Sequence, residues 1–237
     1  MKLGSLVLGT CLALMATVVR AEAIADGNFS GWRFGSYGVG GSAMVVVEAA
    51  GGNPGARLRV TTATLPADTV YATAIKPDFV TNAALAGARF TLTLGVLSGD
   101  GAFGAGQAIA LLVEQDGSVY ALPVGTTSVQ TNFATLPFSG TLTAGAFSRV
   151  AGGGPTKPVL DGSVATSFGF AAGNFDSLSL TQYYDNFGLE IVSPRAAAVA
   201  PVDAVASVPT LSEGALVLLS ALLAMAGMGW QRRQRQV

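Results

Sequence analysis

From Arg89 to Val96 the chain alternates strictly: Phe90, Leu92, Leu94 and Val96 are apolar, and Arg89, Thr91, Thr93 and Gly95 between them are not. A period of two sends every apolar side chain to one face of an extended strand, whereas a helix repeats about every 3.6 residues. Leu58, Val60 and Thr62 alternate with Arg57, Arg59 and Thr61 in the same phase pattern. Ile109 to Val113 is apolar at every position, as expected of a central strand buried on both faces. Glu114-Gln115-Asp116-Gly117-Ser118 then leads into Val119 to Leu122. Asp-Gly supplies the positive φ angles of a tight hairpin turn there. Further strands are expected at Ala43 to Glu48, Thr69 to Lys76, Thr135 to Thr143, Ala165 to Ala171 and Leu178 to Val192. No window carries a capped amphipathic helix of ordinary length. With 31 glycines in 237 residues, about twice the usual share, many short strands joined by glycine-rich turns predict an all-β, jelly-roll-type β-sandwich.

One strand breaks its own rule. Leu178 and Leu180 set the buried phase on even numbers, but Phe187, Leu189 and Ile191 set it on odd ones. An extra residue must be inserted, so a bulge or break is expected within Thr181 to Asn186.

The two ends carry targeting patterns. Met1-Lys2, an uncharged run from Leu3 to Val19, and the small-x-small triplet Ala21-Glu22-Ala23 compose a signal peptide over residues 1–23, cleaved after Ala23. Cys11 lies within that leader, so the mature chain has no cysteine and no disulfide. Residues 24–193 form the β-sandwich domain, and 194–207 are an Ala/Val/Pro-rich linker. Gly214 to Trp230 is uncharged and apolar, long enough to cross a bilayer core as one transmembrane helix, and the basic tail 231–237 follows. Arg232, Arg233 and Arg235 hold that tail on the cytoplasmic side by the positive-inside rule.

Val208-Pro209-Thr210-Leu211-Ser212-Glu213, the apolar helix and the terminal arginines together resemble the IPTL-CTERM sorting signal of bacterial surface proteins, over residues 208–237. Val208 replaces the usual Ile and Gly214 the usual Trp. The resemblance implies export, retention in the inner membrane by the C-terminal helix, and handling by secretion and sorting machinery that delivers the chain to the cell surface or beyond. A second resemblance covers the domain loosely. Gly27-Asn28-Phe29-Ser30-Gly31-Trp32, the Gly51-Gly52-Asn53-Pro54-Gly55 turn and Tyr184-Asp185-Asn186-Phe187-Gly188-Leu189 resemble secreted jelly-roll modules. Those modules include carbohydrate-binding, galactose-binding-like and laminin-B-like domains.

Charge and chemistry narrow the function. From Asp26 to Asp203 there are eight basic and twelve acidic residues, a balance of about −4, unsuited to nucleic acid or other anionic partners. Without histidine, Ser-His-Asp and Cys-His nucleophiles and His-ligated metals are excluded. Gly99 to Gly104 spells G-x-G-x-x-G, but strands on both sides make it a hairpin-type loop rather than a dinucleotide site. Glu114 with Asp116 flanks a turn, and Asp185 with Glu190 tends to opposite faces of one strand, so no paired-carboxylate site stands out. The resembled modules pair their first and last strands. That pairing would bring Asp26 near Asp185, with Asn28 and carbonyls completing a structural calcium site. No other cofactor is expected. Trp32, Phe34 and Tyr37 near the start, and Tyr183 and Tyr184 near the end, are the aromatics that could stack on sugar rings, with Trp32, Tyr183 and Tyr184 the candidate ligand-binding residues, although aromatics in a sandwich more often fill the core. The expectation is therefore a non-catalytic binding or adhesion protein of the surface or matrix, with a glycan or matrix ligand. A carboxylate-dependent glycan-active enzyme and a purely structural envelope protein are the alternatives.

Overall fold

A computed structural model describes residues 21–99, 107–174 and 179–193 of the chain. The expected membrane helix, the sorting motif, most of the leader and most of the Gly99 to Gly104 loop lie outside those residues. No helix among the described residues is long and apolar enough to cross a membrane.

The described elements are strands β1 (Ala21–Asp26), β2 (Arg33–Gly52), β3 (Gly55–Thr81), β4 (Arg89–Ser98), β5 (Ala108–Gln115), β6 (Ser118–Thr126), β7 (Ala134–Thr141), β8 (Ser148–Ala151), β9 (Thr166–Asn174) and β10 (Ser179–Val192), with one 3-10 turn at Ala144–Ala146. Their order is β7-β4-β10-β3-β9-β5-β6-β8, with β1 on β10 and β2 on β3. The architecture is the expected all-β sandwich. Each of the expected strand windows overlaps a strand, although Thr135 to Thr143 runs two residues past the end of β7 and Ala165 precedes β9, and Leu178 lies outside the described residues; β2 and β3 run far past their windows, because broken alternation hides their extensions.

β3 belongs to both layers. Its first half, Leu58 to Ala63, pairs with β10, and its second half, Val70 to Thr81, pairs with β9. β2 follows antiparallel along both halves. The change of layer is marked by a register shift between Val39 and Gly41, opposite Leu65 to Asp68. Pro66 sits in that excess, where a missing N–H costs no ladder bond.

Between the layers lies the main core. Phe90, Leu92, Leu94 and Val96 of β4 are all buried in it, as their alternation requires. They meet Ile109, Leu111 and Val113 of β5 and Phe168 and Phe170 of β9. Ala110 and Leu112, on the other face of β5, join a second cluster with Ile75, Ala121 and Ala171. Both faces of β5 are therefore buried, and β6 and β9 flank it. The β5–β6 turn has Asp116 at φ 47° and Gly117 at φ 73°, the two left-handed positions expected of Asp-Gly.

The phase switch in β10 is present. Leu180, Gln182 and Tyr184 are buried on even numbers, then Asp185, Phe187, Leu189 and Ile191 on odd ones. The register against β4 shifts between Asp185 and Gly188, and Asn186 adopts φ 48°. Asp185 is buried and Glu190 exposed, so these two acids do face apart.

β1 covers Ala21–Asp26, so the expected boundary between Ala23 and Ile24 falls inside a strand. All six of its residues pair with β10, from Ala21 opposite Val192 to Asp26 opposite Phe187. Deleting Asn186 should rotate Phe187, Leu189 and Ile191 out of the core. Near-ultraviolet circular dichroism of the deletion variant is expected to show no fixed tertiary packing; a native spectrum would remove the bulge from the folding code.

Candidate functional site

The outward face of the β3–β9–β5–β6 layer is built from small side chains. Ala110 and Ala171 lie flat there, and Gly173 stands opposite Tyr71 in the ladder. A Cβ on Gly173 would sit 2.2 Å from the Tyr71 ring, so only glycine lets that ring lie down on β9. Tyr37 is the ladder partner of Tyr71 on the other side, and the two rings stack with centroids 4.7 Å apart at 12°. Burial, reinforced by Tyr71, pushes the Tyr37 hydroxyl far above its ordinary pKa, and burial raises Tyr71 too. Both phenols stay neutral hydrogen-bonding groups at any physiological pH.

Tyr37 opens onto a groove of about 330 Å³, lined also by Arg33, Thr73, Ile75, Glu114 and Val150. Arg33 is ion-paired with Glu114 across its mouth. Among the described residues lining the groove, Glu114 is the one carboxylate, and an arginine already holds it. Glycoside hydrolysis by the usual route needs two facing carboxyl groups. The groove thus combines an aromatic edge, an apolar wall and a fixed charge pair.

Phe34 and Tyr37 line this groove, while Trp32, Tyr183 and Tyr184 are elsewhere. Trp32 is buried in the main core, edge-on to Phe187 at 4.8 Å, Phe29 at 5.4 Å and Phe170 at 6.2 Å. It is a core residue, because three aromatic neighbours surround it, with the Lys76 ammonium 5.9 Å from its ring, and it is buried from a ligand. Tyr184 is likewise fully buried, its hydroxyl 2.7 Å from Gln107 Oε1 and 2.6 Å from Gln182 Oε1. Tyr183 is half-buried, but the Arg57 guanidinium lies 3.7 Å above its ring. Arg57 itself is paired with Glu48 at 2.7 Å.

β1 and β10 do pair, as a calcium site joining Asp26 to Asp185 requires, but the two carboxylates have other partners. Asp26 accepts bonds from the backbone N–H of Asn28 and Phe29 at 2.8 and 2.9 Å and from the Trp32 indole at 3.1 Å, and Lys76 Nζ lies 2.8 Å away. Burial alone would raise the Asp26 carboxyl. The Lys76 ammonium, the indole and the two N–H groups outweigh it and hold the pKa at about 2. A cation at Asp26 would have to displace an ammonium. Asp185, fully buried, accepts from the backbone N–H of Asn53 and from that of Asn186 at 2.7 Å. The Asn186 side chain donates to the Asn53 carbonyl. The bulge thus clasps the β2–β3 turn. Among the described residues, no group of three or more His, Cys, Asp and Glu side chains gathers to hold a metal.

Tyr71, Arg33 and Val150 were not singled out by the sequence. Counting from the Glu48–Arg57 pair sets Tyr37 opposite Asp68; the offset at the β3 excess sets it opposite Tyr71 instead.

Residues 206–235 match the IPTL-CTERM motif. No curated protein matches the chain. Among solved structures, the chain is similar to a family 11 carbohydrate-binding module of a cellulosomal cellulase of Clostridium thermocellum: 13% identity, TM-score 0.44, covering 73% of this chain and 95% of that one. It is also similar to a xylan-binding domain from Paenibacillus barcinonensis, at 14% identity and TM-score 0.40, covering 74% of this chain and 96% of that one.

Two measurements test the polar anchors. The folded Asp26 pKa lies below its ordinary value of 3.8. Its stabilisation is therefore complete above that value and lost as pH falls towards about 2. In urea titrations Asp26→Asn is expected to be less stable than the parent at neutral pH, and the gap should close as acid protonates the parent. A gap that stays constant to the lowest pH would deny the ionised nest. Chelation with EDTA is expected to leave the melting temperature unchanged. A rise on adding calcium, abolished in Asp185→Asn, would restore the metal reading.

Proposed function

We propose that this chain is an exported surface protein whose β-sandwich holds a neutral glycan, without catalysis, in the groove beside Tyr37. The IPTL-CTERM match supports export and a C-terminal sorting signal. On this reading the 214–230 segment retains the chain in the membrane with its arginines cytoplasmic, and sorting machinery then acts on the signal.

The observation that carries the binding reading is the Tyr37–Tyr71 stack laid over Gly173 at the edge of a small-residue floor. Sugar rings present apolar C–H faces that pack on aromatic rings, while their hydroxyls need donors and acceptors at the rim. Tyr37, Thr73 and the Arg33–Glu114 pair supply both. The single, ion-paired carboxylate supports binding over hydrolysis.

The purely structural alternative has one feature in its favour. Of the five large apolar side chains most exposed among the described residues, Val39, Met44, Val47 and Leu65 lie on the β2–β3 hairpin. Concentration-dependent sedimentation of the domain would favour assembly over ligand binding.

A glycan array probed with residues 22–193 is expected to give a neutral-glycan signal. Tyr37→Ala should weaken that binding about tenfold or more, the loss of one aromatic contact. Tyr183→Ala, on the other layer, should leave it unchanged. Equal losses in both variants would move the site away from the groove.

A further inference from the structure

The edges of the sheet are not protected alike. Four strands have one edge with no ladder partner among the described residues: β1, β2, β7 and β8. An open edge invites pairing with another chain, and short length, charge or proline blunts it. β8 has four residues, β1 carries Glu22 and Asp26 within six, and β7 has Pro137 in its middle. β2 runs for 20 residues with neither a charge nor a proline from Phe34 to Val47. We propose that Ser42 to Glu48 of this open edge pairs antiparallel with the same segment of a second copy, about a twofold axis at Val45, so that two sandwiches share one continuous sheet.

Three observations choose the segment and its occupant. First, the core is unfinished there. Ala43, Val45 and Val47 stand opposite Thr62, Val60 and Leu58, all buried, so they belong to the inward row. Val47 is nevertheless 41% exposed, and on the outward row Met44 is 51% exposed. Second, the segment is self-complementary. Residues directly opposite in an antiparallel pair share a face. With Val45 on the axis, Val47 meets the partner's Ala43 on the inward row, and Met44 meets the partner's Val46 on the outward one. Third, the one charged residue of the segment finds a donor. Glu48 faces the partner's Ser42, twice over by symmetry. Its carboxylate already holds Arg57 and Arg59 within the chain, and has lone pairs to accept a hydroxyl as well. An axis at Met44 or Val46 would set Glu48 against the partner's Gly40 or Met44 instead. An axis between two residues would turn the inward row against the outward one.

The pair is closed, because each copy has used its open edge; growth past two copies belongs to open-ended assembly instead. Tyr37 lies outside the paired segment, so the proposal stands or falls apart from the glycan reading.

The test uses the full chain in detergent extract, with Cys11→Ser as the background so that an added thiol is the only one. Val45→Cys places two sulfurs at the axis, where opposite Cα atoms lie about 4.5–5.5 Å apart, within the span of a disulfide. It is expected to give a crosslinked dimer under mild oxidation. Val39→Cys is the control: that position is 74% exposed but outside the paired segment, and the chain should remain monomeric. Equal crosslinking at both positions would mark random collision, and no crosslink at Val45 would remove the pairing; either result overturns the proposal. Ser42→Cys and Glu48→Cys should crosslink only when the two variants are expressed together, and crosslinking of either alone would overturn the register. Val47→Lys, added to the Val45→Cys chain, turns a charge onto the inward row where the partner would bury it. It is expected to cut the crosslinked fraction about fivefold or more while circular dichroism stays that of the parent. An unchanged fraction in that folded variant would also overturn the pairing.

Discussion

Both layers of this sandwich hang on a single strand. β3 donates and accepts ladder bonds with β10 along its first half and with β9 along its second, so neither layer can form its full set of pairs without the other. The bend that permits this is concentrated at Val39 to Gly41 and Leu65 to Asp68, where the hairpin changes register. Everything on the outward face of the β9 layer takes its position from that offset. Tyr37 meets Tyr71 only because β3 carries extra residues between its halves, and the groove exists where that stack ends.

Polar chemistry inside the domain is spent mainly on holding strands together. Asp26 gathers four donors, and Asp185 with Asn186 clasps the β2–β3 turn. Gln107, Thr127, Gln182 and Tyr184 close a buried network that stitches β10 to the segment around Gln107. Each of these groups would be costly to bury alone, and each is satisfied. Residue types that look functional by chemistry, an early Asp, a Trp after Gly-x-x-x-Gly, a Tyr-Asp-Asn run, are here the fasteners. The groove uses less conspicuous residues.

That contrast explains what the sequence could and could not tell. Strict alternation made β4 legible, continuous apolarity marked β5, and the clash of phases located the β10 bulge, because each is a local pattern with one geometric solution. β2 was read only at Ala43 to Glu48, since Gly35, Gly38, Gly40 and Gly41 erase its alternation on the way. The groove was illegible for a different reason. Its residues come from β2, β3, β5, β6 and β8, and their meeting depends on register, which a bulge of a few residues resets without leaving a periodic trace. Trp32 stays ambiguous in the sequence because an aromatic next to glycines reads alike whether it points into a core or out of it.

The position of β10 also determines how the domain responds to tension. Its edges are both occupied, one by β4 from Gln182 to Val192 with a break at the bulge, and the other by β3 and then β1. Val192 is its last residue. Ladder bonds of antiparallel strands run across the strand axis, so a pull on Val192 along that axis shears two rows of bonds together instead of unzipping them singly. A load applied at Val192 would therefore spread from β10 to β4, β3 and β1 at once, with the buried Asp185 bulge as its catch.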